Sequence, residues 1–290
     1  MTGHELFEAI QRGLGPEAHR HRGIDAPARR DTAIAGGSYR APGTLVDGFR
    51  AGDGDAAVRG VVVCARASTA VIRRAAELGA NVVISRQAFL GDSQDRAVAK
   101  PEPALAEKLA LIAASGIAVL RLQDPRIGAA GQAITQALPR AIGLRRPQAG
   151  LNPAEGLVYA LPATPVAASV AALVRQIKQA LGTSTVRLIG DPALLARGVA
   201  FATETSRPNA LTPLLARPEV NLLVAGEVHE TETTAYVLDA IALGQPKALL
   251  LTGSIALEEP AARALAEWLK TVTLMKVTYL PAPEGLSAVI

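Results

Sequence analysis

The chain has 290 residues, 49% of them hydrophobic and 19% charged, which is enough to bury one large core or two ordinary ones and too apolar for a disordered polymer. The formal net charge of +4 comes from arginines scattered along the sequence, without the stripe of Lys and Arg interleaved with aromatics that marks a nucleic-acid surface, so nucleic acid is not expected as a partner. A single cysteine, Cys64, excludes an intrachain disulfide and a multi-cysteine zinc site, and aromatics at 3% leave the core to Ala, Leu and Val. The opening MTGHELFEAIQRGLG is an amphipathic helical pattern carrying Glu5 and Glu8, which is not a secretory signal, and the polar, glycine-rich stretch after Arg29-Arg30 is not the core of a twin-arginine signal. No apolar run reaches the length of a membrane span, and the expected location is cytoplasmic.

Residues 15–44 are rich in Gly, Pro, Arg and turn formers and read as a basic surface loop, with His19 and His21 in a solvated HRHR run. VRGVVVCA predicts a buried strand that holds Cys64 as a structural thiol, and STAVIRRAAELG predicts the helix it feeds. NVVIS at 81–85 and IAVLRL at 117–122 are further strands, with PALAEKLALIAASG as the helix between them. Pro, Gly and Arg interrupt the pattern at 144–156, read as a linker between a first lobe, residues 1–143, and a second, residues 157–290. In the second lobe GLVYALP, TVRLIGD, RGVAFATE, NLLVAG, KALLLTG and LMKVTYL predict strands, and the segments at 165–182, 231–244 and 258–270 predict helices. The alternation gives an α/β fold of two related lobes with mostly parallel sheets, expected to face a central cleft. NVVISRQ and NLLVAGEVHE share an Asn, an apolar strand, a small residue and then polar groups, which is the sign of an internal repeat.

Function in such folds collects at the carboxyl ends of the strands. Four ends carry polar groups: Ser85-Arg86-Gln87; Arg121-Leu122-Gln123-Asp124; Gly226-Glu227-Val228-His229-Glu230; and Thr252-Gly253-Ser254, with Glu258 and Glu259 beyond. Bland readings stand beside these: Glu258 and Glu259 suit the first turn of a helix, Asp124 before Pro125 suits a turn, and His229 suits a solvated loop. No phosphate-binding P-loop, nucleophile elbow or dinucleotide fingerprint is present.

In this order, the segments VDGFRAGDGDAAVRGVVVCARASTAVIRRAAELGANVVIS, VRLIGDPALLARGVAF, NLLVAGEVHETE and KALLLTGSIALEEPAARALAEWL resemble the Nif-three-like, YbgI-type family of dinuclear-metal-centre proteins over residues 44–282. That family is also labelled as type-two GTP cyclohydrolase homologues. The resemblance implies a Nif-three-like fold, a homo-oligomer in the form of a toroidal hexamer, and metal ligands at the strand ends. Here the residues depart from it. Arg86 and Gln87 stand at the expected paired ligands, Gln123-Asp124 at a His-Asp pair, and Gly253-Ser254 through Glu258 at a Gly-His-x-x-x-Glu motif that keeps its carboxylate, while Gly226-Glu227 survives. Without imidazoles the set Asp124, Glu227 and Glu258 offers at most one weakly held divalent cation, and no other cofactor is expected.

Two readings follow from the sequence. In one, the chain is a degenerate relative acting as an oligomeric binding or scaffold protein, with Arg86 standing in for a metal ion among carboxylates. In the other, it is a metal-dependent hydrolase-like enzyme for a nucleotide or another phosphorylated small molecule, with Arg86 and Arg121 steering the anion.

Overall fold

The structure is a computed structural model that describes residues 1–14, 30–34, 37–40, 47–90, 95, 100–123, 128–148, 157–161, 169–202 and 208–282. The chain divides into two units, Met1–Thr135 with Ala261–Ser287 and Gln136–Pro260 with Ala288–Ile290.

The first unit opens with α1 (Gly3–Leu14), followed by the two-stranded antiparallel ribbon β1 (Arg30–Ile34) and β2 (Gly37–Arg40). The predicted loop at 15–44 therefore contains a hairpin; its polar, glycine-rich strands have no apolar period for a sequence reading to detect. Next come β3 (Gly48–Ala51), β4 (Val61–Cys64), α2 (Thr69–Glu77), β5 (Val82–Ser85), α3 (Pro103–Ala114), β6 (Ala118–Arg121) and α4 (Gly128–Thr135).

In the second unit the order is α5 (Ala137–Ala141), β7 (Leu157–Ala160), α6 (Val170–Leu181), β8 (Arg187–Ile189), β9 (Gly198–Phe201), α7 (Pro208–Ala216), β10 (Leu222–Ala225), a π-helical turn (Glu230–Thr234), α8 (Ala235–Ala242) and β11 (Ala248–Leu251). Helix α9 (Ser254–Val272) leads to β12 (Val277–Tyr279). The predicted strand LMKVTYL was assigned to the second lobe, yet β12 pairs in parallel with β4 of the first unit. Its apolar pattern shows that the strand is buried and says nothing about which sheet receives it.

Each unit holds a five-stranded sheet, in the orders β12-β4-β5-β6-β3 and β7-β9-β10-β11-β8. The three central strands of each are parallel; the first sheet ends on one flank in an antiparallel strand, β3 on β6, and the second on both, β7 on β9 and β8 on β11. Parallel strands covered on both faces are mostly apolar, and β4, β5, β6, β9 and β10 are buried at every position, with Ser85 and Arg121 the polar residues among them. In the first unit Leu6 and Ile10 of α1 and Leu265 and Leu269 of α9 cover one face, while Val71 and Ile72 of α2 and Ile112 of α3 cover the other. In the second, Leu173 and Ile177 of α6 cover one face and Leu211 and Leu215 of α7, with Val237 of α8, the other. Among the described residues no helix is long and apolar enough to cross a membrane.

The repeat suggested by NVVIS and NLLVA extends to single hydrogen bonds. Asn81 accepts the amide of Arg59 on Oδ1 at 2.7 Å and donates Nδ2 to the Ala57 carbonyl at 2.9 Å. Asn221 accepts the amides of Arg197 and Gly198 at 3.0 and 3.2 Å and donates to the Leu195 carbonyl at 2.6 Å. Each of these buried amides ties the entry of its own strand to that of the strand before it, which satisfies its own polar atoms.

Candidate functional site

At the carboxyl end of the first sheet, the Arg86 amide donates to the Cys64 carbonyl (3.2 Å) and the Gln87 amide to the Ala65 carbonyl (2.7 Å). The hydroxyl of Ser85 accepts from the Ala67 amide at 2.9 Å and donates to the Gln87 carbonyl at 2.8 Å, fixing the turn after β5. The side chain of Arg86 is buried, at 4% exposure, and its guanidinium donates to the Leu122 carbonyl at 3.3 Å. The structure therefore brings Arg86 to the end of β6, beside Gln123. The Gln123 amide turns away to Oδ1 of Asp47 (2.7 Å). Asp124 lies outside the described residues, as do His19 and His21.

Beneath these positions runs a buried ionic network with no forerunner in the sequence reading. Arg121 is 1% exposed and pairs with Asp95 at 3.1 Å, and its other terminal nitrogen donates to Oε1 of Gln123 at 2.6 Å. Asp95 has a left-handed backbone (φ 50°), which Asp tolerates better than most residues, and Oδ1 accepts the amides of Phe89 and Leu90, each at 2.7 Å. Arg66 donates Nε to the Ala88 carbonyl at 3.1 Å, and Lys108 donates to the Phe89 carbonyl at 3.0 Å. The segment leaving β5 is thus held by its carbonyls and its amides. Arg121, expected to steer an anion, is instead committed internally; a side chain this buried has no surface to offer a ligand.

Burial, and next the nearby Arg66 guanidinium, lower the Lys108 ammonium to about 8. A sequence signal for Lys108 exists: it falls on the buried stripe of α3 with Leu105 and Ile112, where a helix ordinarily places an apolar side chain. Asp95, in a polar run without periodicity, gives none.

The second sheet ends differently. The Gly253 amide donates to the Gly226 carbonyl at 3.0 Å, one rung beyond β10 and β11. A Cβ on Gly226 would stand 2.6 Å from the Ser254 Cα, so only glycine lets these strand ends close up. This contact brings Glu227, which is exposed, next to Ser254, with Glu258 one turn further along α9 and buried. His229 is exposed. Glu230 is not a free ligand: Arg187 grips it through two hydrogen bonds of 2.6 and 3.1 Å, and this partner holds its carboxyl below the usual range. Cys64 is fully buried, as a structural thiol would be.

Paired metals bound through imidazole do not fit these donors. The described positions offer a guanidinium, two amides, a hydroxyl and two carboxylates, and among the described residues no three His, Cys, Asp or Glu side chains gather as they would around an ion.

A repeated α/β unit with parallel central strands, its polar groups collected at the strand ends, defines the class. Within that class the chain belongs to the Duf34/NIF3 (NGG1p interacting factor 3) family, whose model matches residues 38–282. Among solved structures it is similar to the Bacillus cereus protein related to NIF3, at 13% identity over 100% of this chain and 99% of that one, with a TM-score of 0.69. It is also similar to the protein ybgI, of unknown function, at 20% identity over 98% and 99% with a TM-score of 0.67. The Staphylococcus aureus hypothetical protein SA1388 matches at 14% identity over 97% and 96%, with a TM-score of 0.68. At these identities the likeness concerns the fold. No curated protein matches the chain.

Proposed function

We propose that this chain is a cytoplasmic, homo-oligomeric binding or scaffold protein of the Duf34/NIF3 family that works without a dinuclear metal centre. The observation that carries the reading is Arg86, a buried guanidinium at the end of β5 where the resemblance calls for a metal ligand. A fixed positive charge there repels a divalent ion and supplies the hydrogen-bond donors that a metal would otherwise replace. The exposed apolar side chains Leu238 and Ile241 on α8, with Leu243 just beyond, agree with a self-associating surface. Metal analysis of untagged protein tests the reading. Far less than one metal ion per chain is expected, before and after incubation with Mn or Mg, and near-stoichiometric metal overturns it.

A second reading has its own support in the approach of Gly226 to Ser254, which sets Glu227 beside the start of α9 and its Glu258. A hydrolase-like enzyme would hold one hard divalent ion on such carboxylates, acting on a nucleotide or another phosphorylated small molecule. One ion retained per chain after incubation with Mn or Mg would favour it over the first.

A further inference from the structure

We propose that Arg66 and Lys108 form a binding site for a phosphate-type oxyanion in the first unit, taking inorganic phosphate or the phosphate group of a small molecule. The site lies beside the strand-end positions discussed above, uses none of their side chains and does not depend on whether a metal is held.

Lys108 carries its ammonium into the interior and is 7% exposed. It donates to the Phe89 carbonyl and lies 5.0 Å from the centroid of the Phe89 ring, but among the described residues it has no carboxylate within ion-pairing distance. An ammonium has three N–H donors, and burying one without a counter-ion is costly. Arg66, half-buried in the turn between β4 and α2, spends only Nε, on the Ala88 carbonyl. Both terminal amino groups of its guanidinium are left without an acceptor among the described residues. The two cations hold neighbouring carbonyls of one segment, Ala88 and Phe89, and the Arg66 guanidinium helps depress the ammonium of Lys108.

The acid that acts on the Lys108 ammonium, Asp95, is already engaged: one carboxylate oxygen takes the amides of Phe89 and Leu90 and the other takes Arg121. The cations are thus brought together without a matching anion. A phosphate group has both the charge and the number of acceptor oxygens to bridge a guanidinium edge and an ammonium, and Arg66, being half-buried, connects the pair to the surface.

The test uses full-length, untagged protein and sodium phosphate, with sodium chloride at matched ionic strength as the reference. Calorimetry should show a saturable site for phosphate and none for chloride. Phosphate should also raise the Lys108 ammonium from about 8, followed by NMR of the labelled lysine side chains, because a bound anion favours the charged form. Arg66→Gln should weaken phosphate binding by about tenfold or more, whereas Arg73→Gln, on the exposed face of α2, should not change it. Tighter binding of glycerol phosphate than of inorganic phosphate would identify a phosphorylated small molecule as the ligand, and equal binding would identify free phosphate. Identical responses to phosphate and chloride, or full binding by folded Arg66→Gln, overturn the proposal. Should that variant fail to fold, a Lys108 titration in the natural protein that saturating phosphate leaves unmoved overturns it equally.

Discussion

In the first unit Asn81 fastens the start of β5 to the entry of β4, and in the second Asn221 fastens β10 to the entry of β9 by the same three groups, a side-chain oxygen, a side-chain amide nitrogen and a backbone N–H. The sheets separate at their other ends. Where the second closes one more rung between Gly226 and Gly253, the first diverts Gln123 to Asp47 and fills the gap with Arg86. The amino ends of the strands have kept a shared structural duty, while the carboxyl ends have been refitted separately, one with buried cations and one with glycine and carboxylates. The two units therefore agree where the sheet holds itself together and differ at the strand ends where such folds collect function.

The largest expected effect falls on the first unit alone. Asp95→Ala strands Arg121 in the interior and should cost about 3–5 kcal/mol in urea unfolding. Hydrogen exchange should place that loss in β4–β6 and spare β9–β11, and equal loss in both sheets would break the comparison. Next comes pH. Lys108 titrates at about 8 in the folded chain against an ordinary 10.5, so within that window the unfolded chain binds the extra proton and folding stability rises with pH. The slope should reach about 1.4 kcal/mol per pH unit at most, and Lys108→Met should remove it.

Asn81→Ala and Asn221→Ala should each cost about 2–3 kcal/mol, and a strong inequality between them would show that the two clamps are not equivalent. A smaller loss, about 1–2 kcal/mol, is expected for Gly226→Ala, which must push Ser254 aside. Arg187→Ala, which breaks an exposed ion pair, should leave the melting temperature of the chain unchanged.

Much of this fold was legible because its central strands are short, mostly apolar runs bounded by Gly, Asn and polar clusters. The Asn of NVVIS and NLLVA showed the repeat directly. What escaped were features set by distance in space. The ribbon of β1 and β2 has no apolar period, and the sheet that accepts β12 is decided by a partner far away in sequence. For the candidate site, the strand-end positions Arg86, Gln87, Gln123, Glu227, Ser254 and Glu258 could be named from the sequence. The burial of Arg86, the internal pairing of Arg121 and the whole role of Asp95 could not, since a charged residue at a strand end looks the same whether it faces water or a carboxylate.

The placement of β12 has a further consequence for the order in which the molecule can be completed. Val61 pairs with Val277, so β4 must wait for a strand made long after it, whereas β7 to β11 lie within one continuous stretch. During synthesis the second sheet can close while the first still has an open edge beside β4. That edge is where an incomplete chain would recruit the wrong strand, and β12 seals it.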